Sequence, residues 1–118
     1  MKSNITKYPV DQEIRMANGQ RIIRFISCYD DDKQYNEILG REIFLFDIND
    51  NIIWQIDAPR SFGRIYDSKT LEFTEGEYDT YFCAVYEKNG KYLAERFDGY
   101  VFELDIETGK ATYLYWTK

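Results

Sequence analysis

Two stretches concentrate groups that can do chemistry. Asp30, Asp31 and Asp32 form one run of carboxylates, and "LEFTEGEYD", Leu71 to Asp79, supplies Glu72, Glu75, Glu77 and Asp79. Such carboxylates serve one of three ends. A glycan-acting enzyme would hold two of them a defined distance apart across a cleft. Scattered over a surface they are solvated charge. Interleaved with Tyr29, Tyr35 and Tyr78, they make a face that steers in a cationic protein and anchors it through aromatic rings. The candidate contact set for that third use is Tyr29, Asp30, Asp31, Asp32, Glu72, Glu75, Glu77, Tyr78 and Asp79.

Other chemistries lack their residues. The chain has no histidine, so His-based triads, His general bases and His-ligated zinc are excluded. Cys28 and Cys83 each sit in an apolar run without a CxxC partner and read as buried, reduced thiols. "FDINDN", Phe46 to Asn51, alternates oxygen-bearing residues like a calcium loop, but Ile52 and Ala58 stand where that loop needs glycine and a closing carboxylate. Arg60 and Arg64 could hold an anion, although solvated surface charge is the simpler reading. No catalytic residue, metal or cofactor is expected.

The balance of charge narrows the partners. Asp and Glu total 21 against 15 Lys and Arg, giving a net charge of −6 and a pI near 4.7. A field of that sign repels nucleic acid and anionic membrane and attracts basic proteins. The N-terminal residues contain no apolar run resembling a signal peptide, and no window approaches a membrane span, so the expectation is a cytoplasmic protein. Eleven Tyr and eight Phe within 118 residues argue for a folded domain rather than disorder.

The elements that must position these groups are strands. Asn18-Gly19, Asn49-Asp50, Asn89-Gly90 and Glu107-Thr108-Gly109 each separate two runs of strand-like residues, and each supplies residues tolerant of the left-handed conformation that tight hairpins use. The reading is an all-β, single domain over residues 1–118: seven to eight strands in an antiparallel meander, closing as a sandwich or small barrel. Asp30 to Leu39 is a short helix or an acidic loop. The run before Asn89 is apolar on both faces and therefore reads as a central strand. Trp54 and Trp116 read as core or core-edge residues. Asp57 to Thr70, with Pro59 and Gly63, reads as the longest irregular connection. "FLFDI" (Phe44 to Ile48) and "FELDI" (Phe102 to Ile106) share three of five residues, which suggests a duplicated hairpin or merely shared turn chemistry.

"YLAERFDGYVFELDIETGK", Tyr92 to Lys110, resembles a C-terminal pattern of small bacterial immunity proteins of toxin systems. In that pattern a strand leads into an aromatic-Asp-Gly-Tyr turn and then a Leu-Asp-x-x-Thr-Gly-Lys hairpin. Phe97, Asp98, Gly99, Tyr100, Leu104, Asp105, Thr108, Gly109 and Lys110 carry the likeness, which covers the C-terminal half. It implies a non-enzymatic immunity protein, of the kind paired with contact-dependent growth inhibition toxins, that occludes the active site of a basic nuclease with carboxylates standing in for phosphates. The alternatives are a carboxylate-dependent glycan-acting enzyme and a β-barrel binding a small ligand.

Overall fold

The computed structural model describes residues 8–27 and 37–117, and within them the chain is all-β. Ten strands run in chain order: β1 Val10–Arg15, β2 Arg21–Phe25, β3 Ile43–Phe46, β4 Ile52–Gln55, β5 Ser61–Asp67, β6 Glu72–Tyr78, β7 Phe82–Lys88, β8 Lys91–Arg96, β9 Tyr100–Leu104 and β10 Ala111–Trp116. They form two four-stranded antiparallel meanders, β1-β2-β3-β4 and β7-β8-β9-β10, and a separate two-stranded hairpin, β5-β6.

The four hairpins read from turn residues are all present. Gly19, Asp50, Asn89, Gly90 and Gly109 have positive φ where the connections demand it. Asp47 and Asp105 end β3 and β9 in the same way, each accepting backbone N–H groups of its own turn: from Asn49 and Asn51 at 2.8 and 2.9 Å, and from Glu107 at 2.9 Å. The carboxylate that imitates a calcium ligand in "FDINDN" is thus occupied by its own backbone, and these bonds, led by the one from Asn51, hold its pKa below the ordinary aspartate value.

The two meanders stack face to face as a sandwich and do not close into a barrel. Ile22, Ile43, Leu45, Trp54 and Ile56 of the first meet Phe82, Val85, Ala94, Phe102, Leu104 and Ala111 of the second in one core. A second cluster, Tyr8, Ile23, Phe25, Ile38, Phe44 and Phe46, covers the opposite face of β2 and β3, which explains why those strands are apolar on both sides. Phe44 therefore points away from the sandwich core and Phe102 into it, so equivalent residues of "FLFDI" and "FELDI" face the same direction through the stack.

Several expectations are corrected. The strands number ten because Ser61–Asp67 and Glu72–Tyr78 pair in full register, so Asp57 to Thr70 is not one irregular connection. β7 is an edge strand, not a central one. It looked apolar on both faces because a bulge between Phe82 and Ala84 inserts Cys83 and shifts the alternation, letting Phe82 and Val85 both reach the core. Cys83 itself is exposed rather than buried, while Cys28 lies outside the described residues. Trp54 is core, but Trp116 is exposed on the last strand, its indole N–H donating to the Asp98 carbonyl at 3.0 Å. The proposed helix from Asp30 lies largely outside the described residues; its end is a turn through Gly40, whose φ is +83°.

Candidate functional site

The second carboxylate cluster lies on the β5-β6 hairpin. Among the described residues the hairpin strands pack extensively only on each other, with Ser61 at the base bonding Asp98 of the sandwich, and the described residues measure 51 × 31 × 19 Å. Cross-strand register assigns its two faces. Phe62, Arg64 and Tyr66 lie opposite Glu77, Glu75 and Phe73 on one, while Ser61, Gly63, Ile65 and Asp67 lie opposite Tyr78, Gly76, Thr74 and Glu72 on the other.

On the first face Tyr66 and Phe73 pack with ring centroids 5.0 Å apart, and the Arg64 guanidinium sits 4.2 Å over the Phe73 ring. On the second, the Tyr78 ring covers Gly63 and the Ile65 side chain covers Gly76, each at 3.6 Å from where a Cβ would sit, so aromatic and aliphatic groups shield the backbone left bare by glycine. At the tip, Leu71 donates its N–H to the Asp67 carbonyl at 2.8 Å while holding φ at +59°. That conformation is costly for leucine. Yet Leu71 is 72% exposed, as Phe62 is 67%, so the hairpin presents large apolar groups that the described residues leave largely uncovered.

The expected acidic face is divided. Glu75 and Glu77 share the aromatic face, Glu72 and Tyr78 take the other, and Asp79 sits at the base accepting from Arg60 Nε at 2.9 Å, with Glu77 3.5 Å from Arg60 Nη1. Tyr29, Asp30, Asp31 and Asp32 lie outside the described residues. Sequence reasoning did not select Phe62, Tyr66, Leu71 or Phe73, though their spacing in the two halves of a hairpin was the available signal.

The remaining charged groups of note bind the sandwich together. Glu42, 0% exposed, accepts from the Ser27 hydroxyl, from Gly40 N at 3.1 Å and from Phe82 N at 3.2 Å. Burial pushes its pKa up, against the downward pull of the Ser27, Gly40 and Phe82 hydrogen bonds. Arg24 pairs with Asp11 and donates to Gln12 Oε1 at 2.9 Å and to the Phe82 carbonyl at 3.0 Å, and Gln12 in turn accepts from Val85 N at 2.8 Å. Side chains of the first meander thus satisfy the backbone of edge strand β7, an edge otherwise open to pairing. Burial lowers the Arg24 pKa, and Glu42 and Cys83 act in the opposite direction.

At the other edge, Asp57 N donates to Gly109 O and Ala111 N donates to Asp57 O, at 3.0 and 2.8 Å. Trp54 Nε1 donates to the Ile106 carbonyl at 2.8 Å, and its ring lies 2.6 Å from where a Gly109 Cβ would be. Glycine is needed there twice, for its φ of +80° and for the close approach. Among the described residues no group of three or more His, Cys, Asp and Glu side chains is placed to hold a metal ion. No protein-family model, curated protein or solved structure matches the chain.

Proposed function

We propose that this is a non-enzymatic binding protein that neutralises a cationic protein toxin, a nuclease in the leading reading, and that it does so through the β5-β6 hairpin. The observation that carries the reading is the combination of Phe62, Tyr66, Leu71 and Phe73 exposed on a hairpin that also bears Glu72, Glu75 and Glu77. Isolated two-stranded hairpins are marginal in water, so one whose aromatic surface is left uncovered gains most from a partner. Residues 60–79 carry Arg60, Arg64 and Lys69 against Asp67, Glu72, Glu75, Glu77 and Asp79, three positive charges to five negative, or −2. Charge of that sign speeds encounter with a basic protein, and the rings supply the anchoring that charge alone does not.

A catalytic role has less support. The carboxyl with the raised pKa, Glu42, is sealed from substrate and engaged by Ser27 and two backbone amides. The test is co-expression with a toxin encoded immediately upstream of this protein's gene. The reading requires rescue of growth and a stoichiometric complex weakened by salt. Absence of such a toxin, or turnover of a glycan that collapses with one carboxylate substitution, contradicts it.

A further inference from the structure

Where the hairpin joins the sandwich, a polar cavity of about 270 Å³ is lined by Arg41, Arg60, Arg96, Tyr78, Asp79 and Thr80, among others. Three of the chain's seven arginines meet at this one place in a protein of net charge −6. With Asp79 the lining carries three positive charges against one negative, or +2, and the carboxylates outside the lining that pair with these arginines, Asp98 and Glu77, bring the sum to zero.

The three guanidiniums differ in how far they are committed. Arg96 is 7% exposed and lies 4.8 Å from the Phe102 ring centroid, a position that costs desolvation. Its Nε bonds both Asp98 oxygens at 3.1 Å and its Nη1 donates to the Pro59 carbonyl. Its Nη2 bonds no protein atom among the described residues, and since no buried side-chain nitrogen there lacks a partner, Nη2 retains accessible surface. Arg41 spends Nη2 on the Glu37 carbonyl at 2.7 Å and pairs with no carboxylate among the described residues. Arg60 is half exposed and paired with Asp79 through Nε at 2.9 Å and with Glu77 through Nη1 at 3.5 Å, which leaves its Nη2 to the cavity. Ser61, also in the lining, is buried and donates to Asp98 Oδ2 at 2.6 Å, which fixes the Asp98 carboxylate that in turn aims Arg96.

We infer that this cavity binds a small oxyanion, a phosphate or a dicarboxylate, between Arg41, Arg60 and Arg96. Guanidinium groups match such oxygens in charge and in hydrogen-bonding geometry. The volume admits an inorganic phosphate or a four-carbon diacid. Because Arg60, Tyr78 and Asp79 belong to the hairpin base and Arg41 and Arg96 to the sandwich, an ion held among them ties the hairpin to the body.

The experiment measures Tm of the full chain against sodium phosphate and, separately, sodium succinate, with sodium chloride holding ionic strength constant. The expected result is a saturable rise in Tm with at least one of the two, and the larger effect identifies the oxyanion class. The rise should vanish in Arg41→Ala/Arg60→Ala and persist in Arg64→Ala, whose guanidinium lies over Phe73 away from the cavity. Should the double variant unfold, Arg41→Ala alone gives the readout, with half-saturation shifted at least tenfold upward. No rise beyond the chloride control with either anion, or an unchanged rise in the Arg41 variant, overturns the inference.

Discussion

The sandwich and the β5-β6 hairpin use the same residue types in opposite ways. In the sandwich, three charged side chains are turned inward: Arg24 and Glu42 satisfy the backbone of β7, and Arg96 bonds Asp98 through Nε and the Pro59 carbonyl through Nη1. In the hairpin, arginines and glutamates sit at the surface beside rings that are more than half exposed among the described residues. A buried charge that loses its partner costs several kcal/mol, whereas a surface residue away from such features costs little. The comparison therefore separates residues that hold the fold from residues available to a partner. Substitutions can be ordered by how sharply they test that division.

The largest loss is expected from Arg24→Ala, which strips the Phe82 carbonyl and Gln12 of their donor and leaves Asp11 unpaired. Breaking a mostly buried pair costs about 3–5 kcal/mol, and the partial exposure of Asp11 favours the lower end. Urea unfolding measures it. Gly109→Ala follows, at about 2–4 kcal/mol, because a Cβ would meet the Trp54 ring while the backbone stays left-handed.

Glu42→Gln should cost about 1–3 kcal/mol, since an amide nitrogen facing Gly40 N puts donor against donor. Its pH dependence is distinctive. With the folded pKa raised, the unfolded chain loses its Glu42 proton first, so wild-type stability from this group falls as pH rises from the ordinary glutamate value through the folded one. The deficit of the Gln variant should be greatest near pH 4.5 and narrow above it. Asp98 works in the other direction. Burial would raise its pKa, but bonds from Arg96 and Ser61 outweigh that and set it below the usual value, so its stabilisation holds above about pH 3.8 and is lost as pH falls through the folded value. Asp98→Asn should flatten the acid limb of the stability profile.

The smallest effect, and of opposite sign, belongs to the hairpin tip. Leu71→Gly relieves a left-handed leucine and should raise stability by up to about 1 kcal/mol while weakening partner binding. A loss of stability would mean that Leu71 packs within the fold.

Much of the sandwich was legible because it is written locally. Asn-Gly and Thr-Gly turns separate its strands, and Asp47 and Asp105 cap their hairpins with bonds spanning a few residues. The hairpin was missed because Gly63 and Gly76 interrupt the alternation at opposed positions, and "LEFTEGEYD" reads as a charge cluster before it reads as a strand. Within the second cluster the twofold period sends Glu72 to one side and Glu75 and Glu77 to the other, a division that is visible only once the segment is known to be a strand. Arg24, Glu42 and Arg96 gave no sign of burial, because each also bonds a backbone group far away in sequence, the Phe82 carbonyl, the Phe82 amide and the Pro59 carbonyl respectively. The bulge at Cys83 hid the edge position of β7 by swapping faces midway.

The division between fold and proposed partner surface meets its most direct test in one variant, Phe62→Ser/Phe73→Ser/Glu75→Lys/Glu77→Lys, assayed together for unfolding free energy and for affinity to the basic protein toxin that the proposed function calls for. The account expects affinity to fall by at least a hundredfold while stability stays within about 1 kcal/mol of wild type. Undiminished affinity in a folded variant would contradict the assignment of binding to the hairpin.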